Sequence, residues 1–214
     1  MRFPLLFLVG QAVATALPLP SLADPITIDF ESLASMPFTS RAAIPIEARL
    51  SDQLVSSYGT RFSSASPYIA VVELPVGAAT SGTKGIGGAT ANGLLTYAAS
   101  SPIEVSFWDK TIPDVPAVTD FVSFRLDQWA TTDGRTVTLM AYDLNGTFLA
   151  SSTIADAAGA PIAVTAVGIH RVAFFGCGDD DGAALDDLTF NPPVSVGPTP
   201  VRRESLGRLK ARYR

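Results

Sequence analysis

Short blocks of alternating apolar and polar residues recur along the chain, separated by turn signals about every ten residues. In "ITIDFE" (26–31), Ile26, Ile28 and Phe30 fall on one face and Thr27, Asp29 and Glu31 on the other. "PIEVSFW" (102–108) sets Ile103, Val105 and Phe107 against Glu104, Ser106 and Trp108. "DFVSFRLDQW" (120–129) aligns Val122, Phe124 and Leu126, and "RTVTLMAYD" (135–143) aligns Val137, Leu139 and Ala141. "TFLASSTI" (147–154), "PIAVTA" (161–166), "GIHRVAFFG" (168–176) and "ALDDLTF" (184–190) continue the pattern, and "TRFSS" (60–64), "YIAVVEL" (68–74) and "GLLTYAA" (93–99) read as strands before it.

Asp133-Gly134 and Asn145-Gly146 suit tight hairpins, because both tolerate positive φ, and they predict a three-stranded meander over 118–154. One short helix is expected near 50–59: Leu50, Leu54 and Val55 share a face, Ser51 is placed to cap, and Gly59 to stop it. "GTKGIGGATANG" (82–93) lacks the Gly-x4-Gly-Lys-Ser/Thr order of a phosphate loop and reads as a long loop between strands. About ten strands with one-sided apolar stripes need a second sheet to cover them. The expected fold is therefore all-β, an antiparallel β-sandwich of jelly-roll type, with 26–31 pairing with 184–190.

Composition agrees with this picture. The chain has 214 residues, 47% hydrophobic and only 16% charged, enough for one β-rich domain with tails. The opening "MRFPLLFLVGQAVATALPLPSLADP" joins Arg2 to an apolar run and ends on Ser21-Leu22-Ala23, which predicts a signal peptide over 1–23 and a mature N-terminus at Asp24. The protein is then secreted or periplasmic, with no integral membrane segment after cleavage, since no other stretch is long and apolar enough to span. Cys177 is the only cysteine, and reads as a small buried hydrophobe or a free thiol. Residues 24–190 form the sandwich domain, and 191–214 a Pro-rich linker and basic tail expected to be disordered. Residues 24–200 carry a net −11 and residues 201–214 a net +5; an acidic body argues against nucleic-acid binding.

The chemistry-bearing residues are few. His170 is the only histidine, on the strand parity of Val172 and Phe174. A zinc site would need several His or Cys ligands, and a glycosidase needs two carboxylates facing across a cleft. Glu104, Asp109, Asp127 and Asp143 stand singly on separate strands, so the reading is non-catalytic. Trp108 and Trp129 sit at strand ends opposite the apolar stripe, where tryptophan either stacks on a sugar ring or packs under a loop. "GCGDDDGAALDDLTF" (176–190) divides in two: Asp179, Asp180 and Asp181 make a solvated turn, whereas Asp186 shares parity with Leu188 and Phe190. An inward carboxylate needs a hard cation, a cluster of backbone N–H groups or an arginine such as Arg171.

"ITIDFESL" and "GAALDDLTF" resemble the bracketing strands of jelly-roll carbohydrate-binding modules, and "AYDLNGTFLASSTI" with "GIHRVAFFG" is similar to exported bacterial proteins of the PEP-CTERM type. The resemblance covers roughly 26–190, and the ending "VGPTPVRRESLGRLKARYR" lacks the apolar span of the PEP-CTERM pattern. It implies a structural calcium joining the first and last strands through Glu31 and Asp186, with main-chain carbonyls completing the shell. Asp187 and Asp29 are alternative ligands if a strand-end bulge swaps faces. It also implies a secreted binding module for extracellular polysaccharide or cell-surface glycan. A structural cell-envelope or matrix protein without a small ligand, and a polysaccharide hydrolase or lyase, are the alternatives.

Overall fold

The computed structural model describes residues 23–38, 42–64, 68–88, 102–112, 114–127, 136–155, 158–175 and 184–197. The leader, the strand expected at 93–99, Trp129, Asp133-Gly134, Cys177, Asp179 to Asp181 and the basic tail lie outside them. In chain order the elements are β1 (Ile26–Ile28), β2 (Met36–Pro37), a 3-10 turn (Ile46–Ala48), β3 (Arg49–Leu50), α1 (Val55–Tyr58), β4 (Thr60–Ser64), β5 (Ile69–Glu73) and β6 (Lys84–Gly88). They continue with β7 (Ile103–Phe107), β8 (Ala117–Leu126), β9 (Thr136–Tyr142), β10 (Phe148–Ala155), β11 (Pro161–Ile169), β12 (Arg171–Phe175), β13 (Leu185–Phe190) and β14 (Val194–Ser195).

Two sheets face each other as a β-sandwich. One runs β11-β8-β13-β6-β5-β2, with β1 on β13, β14 on β8 and β3 on β5; the other runs β10-β9-β12-β7-β4. All pairs are antiparallel except β2 with β5. The inner stripes meet as read from the sequence: Val105 and Phe107, Val122, Phe124 and Leu126, and Val137, Leu139 and Ala141 are all buried in one core with Phe190 and Leu188. The first and last long segments pair as expected, Ile26 opposite Phe190 and Ile28 opposite Leu188. Among the described residues no helix is long and apolar enough to cross a membrane.

Four local expectations are corrected. The 118–154 meander does not form: β8 lies in one sheet and the β9–β10 hairpin in the other. Residues 127–135 separate β8 from β9, too many for a two-residue turn to dictate pairing. Asn145-Gly146 does make its turn, with Gly146 at φ 78° and its N–H bonded to the Asp143 carbonyl. The glycine stretch is not a loop at its start, because Lys84–Gly88 is β6, buried between β5 and β13. Small residues are needed there: a Cβ on Gly85 would lie 2.9 Å from the Leu185 carbonyl oxygen and 3.0 Å from Leu74. The helix is one turn, ended by Gly59 at φ 72°, and Ser51 does not cap it, since the N-terminal position is Leu54 with no side-chain cap. Finally, residues 191–197, read as the start of the linker, run along the domain: β14 pairs with the start of β8.

β5 explains why "YIAVVEL" does not alternate. Ile69 and Val71 face the main core, while Ala70 and Val72 join Met36, Ile44, Leu74, Ala78 and Ala184 in a second cluster on the sheet's other face. A strand buried on both faces reads as a continuous apolar run. The described segments that build this second layer, residues 33–38, 42–48 and 74–84, also bring Glu31 and Asp186 under one loop.

Candidate functional site

Asp186 is fully buried but on the face opposite to the one expected. Leu185 pairs with the inward Leu126, and Asp186 with the outward Arg125. The register then slips before Thr189, and Asp187 takes φ 43°, so the bulge returns Leu188 and Phe190 to the core. Asp186 thus enters the second layer beside Ala184. The loop Thr80–Lys84 folds over it. Asp186 Oδ2 accepts the N–H groups of Thr80 and Ser81, each at 2.9 Å, and the Thr80 hydroxyl at 2.8 Å; Oδ1 accepts the Asp187 N–H at 2.8 Å. Asp187 receives the Ser81 hydroxyl at 2.6 Å and lies 3.0 Å from Thr80 Oγ1. Burial pushes the Asp186 carboxyl above its ordinary value and the Asp187 charge adds to this, against the hydrogen bonds, that from Ser81 first.

Glu31 is not a strand residue. Phe30 adopts φ 62°, the chain turns, and Glu31 reaches the same loop from the other side. Its Oε1 accepts the N–H groups of Thr83 and Lys84 at 2.7 Å each. Gly82, at φ 54°, allows this approach: a Cβ there would lie 2.3 Å from the Glu31 carboxyl carbon. Lys84 Nζ donates to the main-chain carbonyls of Glu31 at 2.9 Å and Leu33 at 2.7 Å. Asp29 is exposed and accepts the Glu31 N–H at 3.2 Å. Three of the four expected calcium ligands, Glu31, Asp186 and Asp187, therefore meet the same short segment, residues 80–84, where Glu31 Oε1 and Asp186 Oδ2 each accept two N–H groups. Among the described residues no three carboxylate, imidazole or thiol groups cluster as a metal site.

A second constellation covers the outer face of the five-stranded sheet. Register places Tyr142, Arg171, Ser106 and Arg61 in one row across β9, β12, β7 and β4. The Arg171 guanidinium lies 4.3 Å from the Tyr142 ring centroid and is ion-paired with Glu104. Phe148 meets Tyr142 edge-on, centroids 6.2 Å apart. Arg61 lies 4.2 Å over Trp108 and pairs with Asp52 at 2.9 Å. Trp108 is half-buried, donates Nε1–H to the Ser106 hydroxyl at 2.8 Å, and packs edge-on to His170. His170 marks the crossing from β11 in one sheet to β12 in the other; its Nδ1 donates to the Ala117 carbonyl at 2.9 Å.

Beside Trp108 a cleft of about 220 Å³ is lined by Ile26, Tyr58, Lys110, Thr111 and Pro192, among others. Asp109, at its edge, is held by the Ser195 hydroxyl and by the hydroxyl and N–H of Thr111, at 2.6 and 2.7 Å. These donors, Ser195 foremost, hold its carboxyl well below the usual range. Sequence reasoning points to Trp108 and to Tyr142 as a ring that could join it, but not to Arg61 or Arg171 beside them. Their outward parity was legible; their coming together depends on a strand order that is not sequential.

No family model and no curated protein matches this chain. Among solved structures it is similar to a DUF4465 family protein from Bacteroides caccae, with 13% identity, 79% of this chain and 100% of that one covered, and a TM-score of 0.45. It is also similar to the enzymatically active domain of tailspike protein 4 of bacteriophage CBA120, with 11% identity, a TM-score of 0.28, and 68% of this chain against 20% of that one covered.

Proposed function

We propose that this protein is an exported, non-catalytic module that binds extracellular polysaccharide on the outer face of its five-stranded sheet and in the cleft beside Trp108. The observation that carries this reading is the row of planar groups on that face: Phe148, Tyr142, Arg171, Arg61 and Trp108, interleaved with Ser106 and Glu104. Rings and guanidiniums offer flat surfaces for sugar faces, and the hydroxyls, carboxylates and remaining N–H groups offer partners for sugar hydroxyls. The strands lie about 4.8 Å apart, so a chain crossing them meets these groups in succession. The cleft's one carboxylate among the described lining residues, Asp109, already has both oxygens engaged, which supports binding over hydrolysis. Export rests on the leader pattern alone.

The test is a glycan array followed by affinity electrophoresis of the mature chain. Trp108→Ala and Tyr142→Ala should each weaken retention about tenfold, about 1.4 kcal/mol, while the unfolding midpoint changes little for Tyr142→Ala. Retention on no polysaccharide would favour the structural cell-envelope reading. Release of shortened glycan during the assay would favour the hydrolase or lyase.

A further inference from the structure

We infer that this domain ties the turn after β1 to β13 without a metal, using residues 80–84 and the Lys84 ammonium in the place where the resembling carbohydrate-binding modules hold calcium. Such a calcium would be bound by the Glu31 and Asp186 carboxylates and by main-chain carbonyls. In this chain one oxygen of each carboxylate, and the two carbonyls beside Glu31, are occupied by donors from residues 80–84. Glu31 Oε1 takes two N–H groups and Asp186 Oδ2 takes two N–H groups and a hydroxyl. The carbonyls beside Glu31 take the ammonium: Glu31 and Leu33 both accept from Lys84 Nζ.

An N–H aimed at a carboxylate puts its positive end where a cation would stand, and the two repel. The hydroxyls of Thr80 and Ser81 can rotate to present lone pairs; the N–H groups of Thr80, Ser81, Thr83 and Lys84 cannot without refolding the loop. The loop is shaped for this fit. Gly82 lies at φ 54°, and any side chain there would collide with the Glu31 carboxylate. The Glu31, Asp186 and Asp187 carboxylates are met here by a run of amide dipoles, which act as partial positive charge, with the Lys84 ammonium beside them.

The experiment is thermal unfolding of the mature chain in chelator and in millimolar calcium, with terbium luminescence as a direct binding readout. The wild-type Tm should be the same in both conditions, and terbium should gain no calcium-displaceable emission. Lys84→Met should lower Tm by at least about 2–4 °C, the shift for 1 kcal/mol in a domain of this size, equally in chelator and in calcium. A wild-type Tm that climbs with calcium, or terbium emission that calcium displaces, overturns the inference whether or not any variant folds. A Lys84→Met Tm equal to wild type in chelator would remove the ammonium from its assigned role.

Discussion

At the scale of single residues, two buried polar groups make opposite predictions. Thr60 is fully buried in β4, and its hydroxyl has no partner among the described residues. An unsatisfied buried donor costs about 1–3 kcal/mol. Thr60→Val keeps the shape and removes the hydroxyl, so urea unfolding should show a gain of about 1 kcal/mol; a loss would mean that the hydroxyl is bonded after all. Asp186 is also fully buried but richly bonded, and burial raises its carboxyl. The folded state therefore keeps this proton to higher pH than the unfolded chain does. Its contribution to stability is greatest below the ordinary carboxylate value, falls as pH rises to the raised folded value, and is flat beyond. Thr80 Oγ1 lies within 3.0 Å of both Asp186 and Asp187, and its single hydrogen serves one at a time. Unfolding of wild type and Asp186→Asn compared from about pH 4 to about pH 8 should show the wild type losing stability relative to the variant; parallel curves would exclude Asp186 as the source. That Asp186 would be buried was legible in "LDDLTF". Its face was not, because the bulge depends on Asp187 adopting φ 43°, which aspartate tolerates but does not announce.

Elements were legible where one face meets water. β7, β8 and β9 alternate and were placed with the right residues inward. β6 was not, because its glycines carry no periodicity and are present for the close approach of β13. The outward row of Tyr142, Arg171 and Arg61 followed from parity, but its assembly needed the order β9-β12-β7-β4, which the chain sequence does not reveal. Two glycines at element ends separate backbone conformation from crowding. Gly59 and Gly146 have nearly the same φ, 72° and 78°. A Cβ on Gly146 would meet nothing within 4 Å, whereas one on Gly59 would lie 2.4 Å from the Trp108 carbonyl oxygen. Gly146→Ala should cost only the left-handed backbone term, about 1–2 kcal/mol. Gly59→Ala should cost clearly more and should displace Trp108, so its tryptophan fluorescence should shift while that of Gly146→Ala does not. Equal costs and unchanged spectra would show that the α1–β4 corner yields freely.

Across the whole molecule, both ends of the described domain are fastened to its middle. β1 closes on β13, residues 80–84 bind the turn after β1 and Asp186 of β13, and β14 lies on the start of β8. The last of these contacts was hidden from sequence reading, because "NPPVSVGPTP" carries the proline content of a linker and too few residues for a periodic signal. What anchors it is polar: Ser195 donates to Asp109, and the Val196 N–H to the Pro116 carbonyl. Asp109 is also the hub of its own turn, binding the Thr111 hydroxyl and the N–H groups of Thr111 and Ile112. Its carboxyl is therefore held low, so the folded state releases this proton more readily than the unfolded chain. The associated stability is present above the ordinary carboxylate value and is lost as pH falls towards the depressed folded value. Ser195→Ala removes the hydrogen bond that does most to hold the carboxyl low while leaving the Thr111 and Ile112 bonds. Acid titration of the unfolding midpoint should then show the variant converging on wild type at low pH and lying below it near neutrality. A gap that stays constant from neutral to acid would mean that Ser195 acts by packing alone and that Asp109 does not fasten β14.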